Sequence, residues 1–161
     1  MRGFFKGLGR VLKGLKGFRR VIELNFFNIN IPKPFPTLQD TSKHDMKYPY
    51  ENLLVWQKAD DLLENIYTAT FFFPKEEQYN VTSQLRRAAL SVVLNIVEGH
   101  SRGTKQDFKR FLVIARASLT ETIFLISFSY RQKYIDEDKF KKLELKAKNT
   151  SFFLNQLIRS I

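Results

Sequence analysis

The sequence predicts an all-α protein: an antiparallel up-down-up-down four-helix bundle with a basic N-terminal extension. Apolar residues recur at steps of three and four along four successive stretches, which places them on one face of a helix each time. The connections between those stretches are short, and short connections favour antiparallel neighbours. No stretch has the alternating pattern of a strand pair.

Residues 1–23 form a basic amphipathic extension. Phe4, Leu8, Val11, Leu15, Phe18 and Ile22 lie on one side, with Lys6, Arg10, Lys13 and Arg20 opposite. Five interior glycines, each costing a helix ~1 kcal/mol relative to alanine, predict that the segment is unfolded on its own and folds against a partner. Residues 24–46 read as a Pro/Asn-rich linker, because Pro32, Pro34 and Pro36 favour an extended run and exclude helix.

The bundle is expected over residues 47–161. Its first helix begins near Tyr50, carries Leu53, Trp56, Ala59, Leu63, Ile66, Thr70 and Phe73 on its apolar face, and ends at Pro74. Phe71, Phe72 and Phe73 at that end read as core or interface packing. Asn80 or Thr82 is placed to cap the second helix. That helix is predicted to stop at Gly99, leaving a loop from Gly99 to Gly103. Thr104 and Asp107 have capping-box spacing, which starts the third helix near Lys105 with Phe108, Phe111, Leu112, Ala115, Leu119, Thr122, Leu125 and Ile126 on its apolar face. After a break over Lys133 to Ile135, Asp136 is placed to cap a fourth helix bearing Phe140, Leu143, Ala147, Thr150, Leu154, Leu157 and Ile161.

Composition excludes several chemistries. Without cysteine there is no disulfide framework, cysteine-rich zinc site or thiol nucleophile. His44 and His100 fall far apart in expected loops, so neither a metal nor a cofactor is expected. No run is judged to approach the ~18 apolar residues of a membrane span, and the protein is expected to be soluble and cytoplasmic. Of the formal charge of +11, residues 1–23 hold +6, residues 24–46 are neutral and the bundle holds +5. Such a balance suggests a polyanionic partner, either nucleic acid or an anionic membrane surface. Membrane contact by residues 1–23 is the disfavoured alternative.

The second helix carries the most distinctive pattern. It is apolar almost all round, broken by one polar line: Gln84, Arg87, Ser91, Asn95, Glu98 and Arg102. A solvated strip, an interhelical or intersubunit seam and a ligand site are all compatible with that line. The seam is favoured, because buried polar groups need partners and can thereby fix register. Leu90, Val93, Leu94 and Val97 are expected to lack cover within one bundle and so to mark an oligomer interface. Arg86, Arg87, Arg102, Lys105, Lys109, Arg110 and Arg116 are the candidate nucleic-acid contacts, against the plain alternative of a solvated charged face. No catalytic residue is assigned. Glu98 and Glu121 could serve as an acid and base or as carboxylate metal ligands, but the Glu-x-x-His pairs of di-iron bundles, a phosphate-binding glycine loop and a nucleophile motif are all missing.

The run YENLLVWQKADDLLENIY, followed by FPKEEQYNVTSQLRRAALSVVLNIVEGHSRGTKQDFKRFLVIARASLTE, resembles the bacterial four-helix-bundle proteins named for open reading frames in intervening sequences of large-subunit ribosomal RNA. Accessory variability determinant proteins of diversity-generating retroelements share that fold. The resemblance covers Tyr48 to Ile161 and is most specific at Gln84, Arg87, Ser91, Asn95, Glu98, Gly99, Arg102, Ala115, Ser118 and Glu121. It implies a homopentameric ring of bundles, and in the retroelement members no catalysis by the bundle itself. For the retroelement members it further implies binding of nucleic acid and of a reverse transcriptase. The expected function is therefore a non-enzymatic, oligomeric accessory protein that binds RNA or DNA without sequence preference. The alternative is a structural adaptor that contacts a protein partner, its basic charge being incidental.

Overall fold

The computed structural model describes residues 48–161. The expected amphipathic extension and the linker, with His44, lie outside the described residues. After a short 3-10 turn at Pro49–Asn52 come four helices: α1 (Leu54–Thr70), α2 (Val81–Ser101), α3 (Lys105–Arg131) and α4 (Glu137–Ser160). Each helix packs on the next and α4 returns to α1, while the backbones of the diagonal pairs stay apart. This is the up-down-up-down bundle expected from the short connections.

The core is a column of aliphatic residues drawn from all four helices, including Leu62, Ile66, Leu85, Ile96, Leu112, Leu119, Ile126 and Leu154. Three hydroxyl residues with no exposed surface, Thr122, Ser129 and Thr150, sit among them. Thr122 and Ser129 donate to carbonyls four residues back, and Thr150 bonds both Lys146 O and Lys58 O of α1. Buried hydroxyls satisfied within their own helix avoid the penalty of an orphaned polar group.

Several boundaries differ from expectation for identifiable reasons. α1 ends at Thr70, before Pro74, because the residue preceding proline disfavours helical backbone and Phe73 folds back into the core against Tyr134. Phe71 and Phe72 instead point outward, 75% and 70% exposed. The centre of the α1 apolar face is Val55, Leu62 and Ala69, one step removed from the expected Leu53, Trp56 and Leu63, which lie at its flank. Neither Asn80 nor Thr82 caps α2 with its side chain. Glu77 does so, its Oε2 accepting from Val81 N at 3.3 Å while its Oε1 accepts from the Tyr134 hydroxyl at 3.0 Å. Thr82 is buried inside the helix.

Gly99 does not stop α2. The helix continues to Ser101, and Gly103 makes the reversal with φ +75°. Gly99 is instead a point of close approach, since a Cβ there would lie 2.6 Å from Phe111 Cβ of α3. His100 is accordingly helical rather than in a loop, half-buried with its ring edge-on to Phe108. The other two caps form as expected: Thr104 Oγ1 accepts from Asp107 N, and Asp136 Oδ1 accepts from Lys139 N. The latter bond holds the Asp136 carboxyl below its ordinary pKa.

One composition estimate is corrected. An 18-residue window of α3 reaches a mean hydropathy of 1.7, enough by length and composition to cross a membrane. Arg116 and Glu121 are too few to break the run, although in the bundle its Leu112, Ala115, Leu119 and Ile126 are spent on the core.

Candidate functional site

The polar line of α2 faces α3 of the same chain. Gln84 Nε2 donates to Glu121 Oε1, Ser91 Oγ and Ser118 Oγ are 2.9 Å apart, and Asn95 Nδ2 donates to Ser91 O at 2.7 Å. Glu98 pairs with Arg102 one turn further along α2. Ser91, Asn95 and Ser118 are half-buried, whereas Gln84, Glu98 and Glu121 remain exposed. Small side chains lie along this contact: Ala88 and Ala115 are buried, and at Gly99 the helices come so close that a Cβ would collide with Phe111.

Beside the seam lies apolar surface. Leu90 and Leu94 are exposed, Leu94 at 55%, and Val97 is half-buried. Val93 is corrected: it is 7% exposed and belongs to the core. Its helical phase places it with Ala89 and Ile96 rather than with Leu90 and Leu94. α3 adds Val113 and Ile114, each 40% exposed. Ile114 stands one turn from Ser118, and Leu94 nearly one turn from Ser91 on the antiparallel neighbour, so the two flank the same seam.

The seven candidate cations do not form a single patch. Arg86 is turned inward, its Nε donating to Thr70 Oγ1 at 2.8 Å and its guanidinium lying 4.8 Å from the Tyr67 ring centroid, so it braces α2 against α1. Arg87 is exposed at the same end of α2. Arg102 stands fifteen residues away, about 22 Å along the helix, paired with Glu98 and 5.4 Å from the Phe111 ring. Lys105, Lys109, Arg110 and Arg116 are exposed on α3. Lys105, Lys109 and Arg116 fall within roughly 40° of one another around the axis, in the phase of Ile123, while Arg110 lies about 100° further round.

Ile123 marks a groove of about 470 Å³ between α3 and α4, whose other wall carries Lys148, Ser151, Phe152, Asn155 and Arg159. Nothing in the helical periodicity of α4 singles out that wall. A second groove, of about 380 Å³ between α1 and α4, is lined by Lys58, Lys142 and Lys146, with Asp61 paired to Lys146 at 2.5 Å. Acidic residues gather elsewhere, on α1 and the turn before it. Burial first, then the charges of Glu64, Asp61 and Glu51, push the Asp60 carboxyl above its ordinary pKa. Among the described residues, no three His, Cys, Asp or Glu side chains are grouped to hold a metal ion.

Comparison with known proteins agrees with this architecture. A crystal structure of a protein of unknown function from the S23 ribosomal protein family of Bacteroides thetaiotaomicron superposes with a TM-score of 0.61, at 21% identity, covering 65% of this chain and 98% of that one. At that identity the likeness speaks for the fold. No curated protein matches the chain. Residues 51–156, nearly the whole bundle, match the family described as 23S rRNA-intervening sequence protein, and the chain belongs to that family.

Proposed function

We propose that the protein is a non-enzymatic, oligomeric RNA-binding accessory protein that contacts phosphates without reading sequence. The observation that carries this reading is the segregation of charge. Lys105, Lys109 and Arg116 share one face of α3 and Lys148 and Arg159 line the facing wall of α4, whereas Glu51, Asp60, Asp61 and Glu64 gather on α1 and the turn before it. Clustered cations on one side of a particle are the electrostatic footprint of a polyanion site. The family description supports an RNA-related role.

Assembly belongs to the same proposal. Leu90, Leu94 and Ile114 leave apolar surface beside the α2–α3 seam, and a second copy would cover it. A homopentamer would gather five basic faces on one particle, suited to holding RNA for a separate processing enzyme such as a reverse transcriptase.

Titrating labelled RNA with the full chain at increasing salt tests the reading. The expected result is binding at low salt whose logarithm falls linearly with the logarithm of salt concentration. Absence of binding at low salt, or affinity indifferent to salt, contradicts it.

A further inference from the structure

The α3–α4 groove combines three features that a merely solvated charged face does not need. Its α4 wall carries Lys148 and Arg159, and Arg116 and Lys109 stand on α3 in the phase of Ile123, beside the groove rather than among its lining residues. The carboxylate nearest on that wall, Glu144, is ion-paired with Lys148 at 3.0 Å. Phe152 stands among these cations 57% exposed, its ring edge-on to that of Phe153 at 5.3 Å. An aromatic ring left in water beside cations is costly to solvate and is the element that stacks an unpaired base. Finally, Asn155 Nδ2 is fixed on Ser151 O at 2.9 Å, which leaves its side-chain oxygen as an acceptor on the groove wall.

We propose that this groove binds single-stranded RNA, with Arg116 and Arg159 on the phosphates, Phe152 stacked on a base, and Asn155 accepting from a base edge or a ribose 2′-hydroxyl. The proposal rests on the RNA-binding reading above and assigns it a site and a strand state. Adjacent helices leave a furrow set by an axis separation of about 8–10 Å, too narrow to admit a duplex. In a duplex the base faces are also already stacked and have nothing to offer Phe152. A 2′-hydroxyl partner distinguishes RNA from DNA.

The test is fluorescence anisotropy at low salt with labelled oligouridylate, oligodeoxythymidylate of equal length and a blunt RNA duplex, using the full chain. Oligouridylate is expected to bind most tightly. Phe152→Ala should weaken it roughly fivefold or more while leaving duplex binding unchanged, and Phe152→Trp should retain affinity and show emission quenched by oligouridylate beyond the Trp56 background. The paired Arg116→Gln and Arg159→Gln changes should flatten the salt dependence. Wild-type binding to none of the three probes overturns the RNA-binding reading itself. Wild-type binding that survives Phe152→Ala and the arginine changes overturns the groove assignment alone. Equal loss for single strand and duplex removes the stacking role, and tighter binding of oligodeoxythymidylate removes the ribose contact. A fall in particle mass on Phe152→Ala, measured by light scattering, overturns the proposal by making the groove a contact between copies.

Discussion

The two flanks of α3 solve different physical problems with the same helix. Toward α2 its Ser118 meets Ser91 and its Phe111 packs on Gly99, and the flank is closed by close packing and direct hydrogen bonds. Toward α4 it leaves a groove lined by Ile123, basic side chains and an exposed Phe152. Closure by small residues fixes the register of two helices, and every atom there answers to stability. An open basic groove contributes little to stability, because exposed cations gain little from one another, so its composition is free to serve a ligand. Substitutions on the two flanks should therefore be read by different measurements.

The largest effect is expected next to the seam. Val93→Arg places a charge in the core and should cost more than ~3 kcal/mol, abolishing cooperative thermal unfolding. Leu94→Glu, its exposed neighbour, should fold normally and lower the particle mass. If both fold and both dissociate, the assignment of Val93 to the core fails.

Gly99→Ala should come next. Helix propensity alone predicts a gain of ~1 kcal/mol, yet the new Cβ must displace Phe111, so a net loss of ~1–3 kcal/mol is expected in denaturant unfolding. Ser91→Ala and Ser118→Ala should each cost about 1 kcal/mol, with the double variant costing less than the two losses combined; strict additivity would deny the hydrogen bond.

The smallest effect lies on the acidic side. The raised pKa of Asp60 means that the folded protein binds a proton there more tightly than the unfolded chain, so stability falls as pH rises from about 3.8 through the folded value. Asp60→Asn removes that penalty. The melting temperature should rise by ~1–3 °C at neutral pH, with no gain below the ordinary pKa; a gain independent of pH would contradict the electrostatic cause.

What the sequence made legible follows from how local each signal is. The periodicities of α3 and α4 named their buried faces, and the caps at Thr104 and Asp136 were readable because donor and acceptor lie three residues apart. Features that depend on distant residues were not readable. Gly99 looks like a stop until Phe111 is placed against it, and Glu77 becomes a cap only once α2 starts at Val81, its other oxygen being held by Tyr134 from across the bundle. Arg86 resembles its neighbour Arg87 in sequence, and only the arrival of Thr70 and Tyr67 separates a brace from a free cation. The candidate groove needed both walls at once. The spacing of Lys105, Lys109 and Arg116 alone puts them on one face of α3, whereas Phe152 and Arg159 acquire meaning only when α4 is laid beside them.

The most direct test of the account compares RNA affinity after charge reversal on the two flanks. Lys105→Glu, Lys109→Glu and Arg116→Glu are combined in one chain and Arg87→Glu is made in another, each checked for unchanged helicity and particle mass. The account predicts a loss of roughly tenfold or more at low salt for the α3 variant and near wild-type affinity for Arg87→Glu. Retained affinity in the α3 variant, with loss on Arg87→Glu, would place the RNA on the α2 side and contradict it.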